Sequence, residues 1–159
     1  MTSTSTLTLP ADDLPRGSPL IHLGLQAWAL AMLAFGLAIA AIPWVRGDLF
    51  SWIATGDGNL LDGVPADVGD YIAFNQSVLG AVTAGLGLAA WWLARAPLAS
   101  GQRWAWTALV TTLGLWFVVD NAASLATGYP RNVAFNAVLA VPAVPLLWMA
   151  RPRQRSRSA

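Results

Sequence analysis

Long apolar runs separated by short polar breaks make up most of this chain, and the runs are of membrane-spanning length. Four of them, at about residues 21–42, 71–94, 104–127 and 133–150, meet the roughly 20 residues that an α-helix needs to cross a ~30 Å hydrocarbon core. The first is closed by Pro43. The fourth is the shortest and contains Pro142 and Pro145, which free backbone carbonyls and predict a kink. The expected fold class is all-α: a polytopic membrane protein with a four-transmembrane-helix bundle over residues 20–150. Residues 1–19, rich in Thr, Ser and Pro, carry too few apolar side chains to pack and are expected to be disordered. Residues 43–70 form the one long connection, and 151–159 a basic tail. Within the connection, Asp48-Leu-Phe-Ser-Trp-Ile53 is expected to form a short interfacial helix with Phe50 and Trp52 dipping into lipid.

Charge placement gives the chain a direction. Of 159 residues 56% are hydrophobic and 11% charged, against roughly 25% charged in soluble domains. There are nine Arg and eight Asp but no Lys or Glu, a bias that fits a GC-rich bacterial genome. Arg16, Arg95, Arg103, Arg151, Arg153, Arg155 and Arg157 fall on one side of the four runs. Arg46 and Arg131 fall on the other, with Asp48, Asp57, Asp62, Asp67 and Asp70. The positive-inside rule then predicts a multi-pass protein of the cell membrane, both termini cytoplasmic and residues 43–70 outside. The first run is too long for a signal peptide and lacks a basic region before it, so it is expected to stay in place as a span. Most of the nine tryptophans lie near run ends, where indoles anchor depth; Trp116 is the mid-span exception.

Much chemistry is excluded. The chain has no cysteine and a single histidine, His22, so disulfides, thiolate metal sites and paired haem imidazoles are unavailable. Asp57, Asn59 and Asp62 invite a calcium reading, but Asp62 stands where an EF-hand loop requires glycine. The glycines at 80, 85 and 87 lie within a run and are not followed by the Lys-Ser/Thr of a phosphate-binding loop. No metal, cofactor or nucleic-acid partner is expected.

What remains is a polar layer. Asp120 is the one acidic residue inside an apolar run, and a carboxylate at membrane depth is expensive unless paired, hydrated or protonated. It lies about seven residues from the end of the third run, roughly 10 Å at ~1.5 Å per residue. Asn121 is beside it, and Ser124 one turn further on. Counting inward along the second and fourth runs brings Asn75, Gln76 and Asn136 to a similar depth, with Asn132 a turn above Asn136. The candidate ligand-binding set is therefore Asp120, Asn121, Asn75, Gln76, Asn136 and Ser124, with Asp120 the catalytic candidate if the protein is an enzyme. The bland reading is that these groups only hold helices together by hydrogen bonds, which average about 0.6 kcal/mol in membrane proteins.

Packing is expected along small residues. Gly80 with Ala84, and Ala81 with Gly85, allow close backbone approach in the second run. Ala27, Ala31, Ala34, Ala38 and Ala41 form a strip in the first. These strips are expected to meet each other, with the second run central to the bundle and a homodimer seam as the alternative.

Phe74-Asn-Gln-Ser-Val-Leu-Gly-Ala81, the glycine-rich Gly85-Leu-Gly-Leu88 stretch ending at Arg95, and the paired third and fourth runs resemble the small four-span bacterial membrane proteins of the DoxX-like kind, over about residues 20–150. The resemblance implies a four-span fold and the role of an accessory membrane subunit, and neither the Asp120-Asn121 pair nor the long acidic loop belongs to it. Two functional classes follow. One is a non-enzymatic protein that binds a partner subunit or a lipophilic small molecule through the polar layer. The other is a small intramembrane isomerase or hydratase with Asp120 as general acid/base. A transporter of four spans without internal repeats would need to oligomerise.

Overall fold

The computed structural model describes residues 18–152, and the expectations for the leading segment and most of the basic tail lie outside them. It contains five α-helices: α1 (Pro19–Ala41), α2 (Phe50–Thr55), α3 (Ala66–Leu93), α4 (Arg103–Ala126) and α5 (Pro130–Met149). A π-helical turn, Val45–Leu49, leads into α2, and another, Ala94–Leu98, extends α3. The described residues include no β-strand. The four long helices are long and apolar enough to cross a bilayer, which is the arrangement of a multi-pass membrane protein.

Local chemistry accounts for the helix ends. Ile42 is extended, with φ −104° and ψ 111°, because it precedes Pro43, and α1 stops there. Pro97 has no N–H to donate, and the chain passes it in a wider π-turn. Helix α3 starts at Ala66, ahead of the expected residue 71, with Asp67 and Asp70 in its opening turns. These carboxylates continue the helix beyond the apolar segment, where hydropathy alone cannot follow it.

The long helices form a ring, α1 against α3, α4 against α5, α1 against α5, and α3 more lightly against α4. The α1–α3 contact is by far the most extensive, while α3 touches α4 only lightly and α5 packs against α1, α2 and α4, so α3 is not central. Its buried face is His22, Leu25, Ala29, Met32, Gly36 and Ile39. The face opposite, with Ala27, Ala31, Ala34 and Ala41, is exposed, which corrects the expected alanine strip. On α3 the buried set is Gly80, Ala84, Gly87 and Ala90, while Ala81 and Gly85 point outward. A Cβ built on Gly36 would lie 2.3 Å from the Ala84 nitrogen and 2.6 Å from the Gly80 carbonyl oxygen. One on Gly87 would lie 2.5 Å from the Leu33 nitrogen, whereas one on Gly85 meets nothing within 4 Å. Glycine wins over alanine because the missing methyl brings backbone against backbone.

Helix α5 stays helical through Pro142 and Pro145. Two indoles from neighbouring helices donate to its carbonyls, Trp28 Nε1 to Leu139 O at 2.8 Å and Trp106 Nε1 to Leu147 O at 2.8 Å. Neither acceptor is a carbonyl freed by proline, which would be Val138 or Val141 four residues earlier, so the two bonds serve to tie α1 and α4 to α5. An apolar core of Leu25, Ala29, Ala94, Leu98, Ala105 and Leu109 fills the end of the bundle near Arg95, Arg103 and Arg151. The polar residues gather at the other end, beside α2.

Candidate functional site

The turn between α4 and α5 builds the site. Gly128, with φ 82°, takes the left-handed conformation that ends α4. The Tyr129 N–H reaches back to Ser124 O at 2.8 Å and the Gly128 N–H to Leu125 O at 3.2 Å, the Schellman pairing. Pro130 then opens α5 at its first turn, where a missing N–H costs nothing. So tight a reversal sets the last turns of α4 beside the first turns of α5 and makes their polar residues face one another.

Asp120 lies at the centre of the resulting network. Its Oδ1 accepts from Asn132 Nδ2 at 3.2 Å and from the Ser124 hydroxyl at 3.4 Å. Its Oδ2 accepts from Asn136 Nδ2 at 3.1 Å. Asn136 Nδ2 also donates to Asn121 Oδ1 at 2.9 Å, and Asn132 Nδ2 to Ser124 Oγ at 2.8 Å. Asn136 is 2% exposed, Ser124 6% and Asn121 9%; Asp120 itself is half-buried. Every partner of the carboxylate is a neutral donor, and no arginine among the described residues bonds to it. Arg46 donates instead to Ala40 O at 3.2 Å and to the Ser77 hydroxyl at 2.9 Å, tying the α2 end of α1 to α3. Arg131 stacks over the Trp52 ring at 5.6 Å.

A cavity of about 220 Å³ opens against this network. Phe50, Ser51, Ala54 and Thr55 of α2 and Leu60 after it form one wall. Gln76 enters from α3, and Ser124, Tyr129 and Asn132 from the α4–α5 turn. Asp120 is not on the wall; it stands one side chain behind, holding Ser124 and Asn132 in place. Phe50 lines the cavity instead of dipping into lipid, because α2 folds back over α5, while Trp52 is exposed. Two buried polar atoms here have no hydrogen-bond partner, Gln76 Oε1 and Asn121 Nδ2. Native proteins leave few such atoms unpaired.

Of the residues placed in one layer by depth, the structure brings together Asp120, Asn121, Ser124 and Asn136, and sets Gln76 across the cavity from Ser124. Asn75 is elsewhere: it is exposed and its amide returns to Tyr71 O at 2.8 Å within its own helix. Neighbouring residues on a helix point about 100° apart, so only one of Asn75 and Gln76 can face inward. Asn132 belongs in the network although depth alone set it a turn too high, and α2 contributes a wall that hydropathy did not assign. In the loop, Asp57 Oδ1 accepts from the Asn59 N–H at 2.9 Å, an Asx turn of the kind Asp and Asn favour.

Fold and site together define an all-α multi-pass membrane protein with a buried carboxylate–carboxamide network beneath a small cavity. No family model matches this chain, nor does any curated protein or solved structure. The reading of the site therefore rests on its own geometry.

Proposed function

We propose that this protein binds a small ligand in the cavity under α2, with that end of the bundle facing outward and both termini cytoplasmic. The observation that carries the reading is the unpartnered Gln76 Oε1, buried at the wall of a 220 Å³ cavity whose other surfaces are largely apolar. Such a mixture, apolar walls with a few convergent polar groups, is the usual make-up of a small-molecule site. The Asp120 network supports it by fixing the rotamers of Ser124 and Asn132. Binding takes precedence over catalysis in this reading, since the carboxylate stands behind the wall and has both oxygens engaged.

The test is to fill the cavity. Ala54→Trp should abolish co-purification of any lipid or small molecule that the wild type retains in gentle detergent, as read by native mass spectrometry. Gly85→Leu, on the outward face of α3, should leave it intact. Identical retention in all three proteins would dismiss the cavity as a site. Orientation is tested separately in this cysteine-free chain. A cysteine at exposed Asn59 should react with a membrane-impermeant thiol reagent in intact cells, and one at exposed Ser100 should not.

A further inference from the structure

Resting on that reading of the cavity, we propose that its ligand presents a primary ammonium group, carried by a lipid headgroup or by a free amine. Two acceptors on the wall lack a donor, beside the hydroxyls of Ser51 and Tyr129. Gln76 Oε1 is buried with no donor. The Asn132 amide has committed its NH2 to Asp120 and Ser124, leaving its oxygen. A guest that satisfies the Gln76 and Asn132 oxygens brings N–H or O–H donors, and an ammonium brings three.

Charge selects the ammonium over a neutral alcohol. The Asp120 carboxylate lies behind Ser124 and Asn132 with only neutral donors around it. The field of a charge in an apolar surrounding reaches further than it does in water. The same end of the bundle carries Asp48, Asp57, Asp62, Asp67 and Asp70, all exposed, against Arg46 and Arg131, so cations concentrate at the mouth. A quaternary ammonium is disfavoured, because it has no N–H and is recognised by cages of aromatic faces. Phe50 and Tyr129 are the two aromatic rings on this wall.

Size and position suit a headgroup. The cavity is smaller than the roughly 300–1,000 Å³ of sites for drug-sized ligands. It lies beside the last turn of α4 and the first of α5, at the ends of two helices long and apolar enough to cross a bilayer. Arg131 stands next to it, its guanidinium packed against Trp52 and Gly56, where a lipid phosphate following the ammonium would meet it.

The experiment titrates the detergent-solubilised full chain with phosphatidylethanolamine, phosphatidylcholine and phosphatidylglycerol of identical acyl chains, and with free ethanolamine, reading bound species by native mass spectrometry. Phosphatidylethanolamine should bind in preference to the other two lipids. Ethanolamine displacing that lipid, or binding in its absence, would identify the free amine as sufficient; its failure to do either would assign the lipid as the source. Asp120→Asn and Gln76→Leu should each weaken ammonium binding about tenfold or more, in protein whose thermal unfolding shows it folded. Equal binding of all three lipids, or an unaltered preference in both variants, would overturn the inference. If a neutral long-chain alcohol binds, is blocked by Ala54→Trp and is unaffected by Asp120→Asn, the cavity stands and the ammonium assignment falls. If nothing binds and Ala54→Trp changes nothing, both fall.

Discussion

Along α1 and α3 the two backbones meet at glycine, whereas α4 and α5 meet, at their α2 end, through amides and a carboxylate. The first seam is held by shape. Gly36, Gly80 and Gly87 leave so little room that an added methyl would strike main-chain atoms, which cannot swing aside as a side chain can. The second is held by a network whose members can rotate, with one buried amide nitrogen, on Asn121, still unpaired. A membrane interior offers helices no hydrophobic driving force for association, so dispersion from close contact and interhelical hydrogen bonds are the means left. This chain separates the two: the glycine seam supplies rigidity and the polar seam a site.

Breaking the glycine seam should have the largest effect. Overpacking a core where neighbours can shift costs about 1–3 kcal/mol. At Gly36 the obstructing atoms are the Ala84 nitrogen and the Gly80 oxygen, so Gly36→Ala should reach or exceed the upper end of that range. Gly85→Leu, facing outward, should stay within about 0.5 kcal/mol. Thermal unfolding in one detergent compares them directly. Equal midpoints for Gly36→Ala and wild type would mean that the helices lie further apart than 2.3 Å contacts allow.

Disrupting the polar seam should come next. Asn136→Ala removes the donor shared by Asp120 Oδ2 and Asn121 Oδ1, leaving two acceptors unpaired. A buried unsatisfied group costs about 1–3 kcal/mol, and the adjacent cavity can admit water, so about 1–2 kcal/mol is expected. Combining it with Asp120→Ala in a double-mutant cycle should show the two changes to be strongly non-additive. Additive effects would mean that the carboxylate and the amide do not act together.

These seams were unequally legible in the sequence. Run lengths marked the four long helices, because about 20 apolar residues per span is imposed by the bilayer. Which small residues touch was another matter. Alanines at a spacing of three and four suggested a strip on α1, yet small residues lie on several faces of that helix, and the buried one is marked by Gly36. Depth counting brought Asp120 level with Asn136, since both distances run from a sharp turn at Gly128 and Pro130. It could not choose between Asn75 and Gln76, which share a depth and differ in direction. The fold of α2 over the cavity depends on tertiary contact, including Arg131 stacking on Trp52, and no local pattern encodes it.

A smaller loss should follow from Trp28→Phe. It keeps the ring and deletes the N–H that α1 gives to Leu139 O, one turn before Pro142. The net worth of such a bond is about 0.5–1.5 kcal/mol, which sets the expected drop in stability. A neutral outcome would indicate that the α5 carbonyl is content with its own helix, and that α1 and α5 are held by Gly24 against Leu146 and Phe35 against Phe135.

The smallest structural effect is expected from Asp120→Asn, for a reason specific to this network. Both carboxylate oxygens accept from amide or hydroxyl donors, so an asparagine in its place would turn an NH2 toward one of them. With the new oxygen kept toward Asn132 and Ser124, its NH2 would face the Asn136 NH2. Rotating the Asn136 amide relieves that clash but presents its oxygen to Asn121 Oδ1. Rotating Asn121 as well turns the presently unpaired Nδ2 toward Asn136 and leaves Oδ1 unpaired instead. One unsatisfied atom is exchanged for another, and the net change in stability should be under about 1 kcal/mol. The glycine seam has no such freedom, which is why a single methyl there should cost more than removal of a charge here. Unfolding midpoints of Asp120→Asn and Gly36→Ala, measured side by side, decide the point. If Asp120→Asn proves the more damaging, the amides are locked, and the α4–α5 seam is as rigid as the glycine contact opposite.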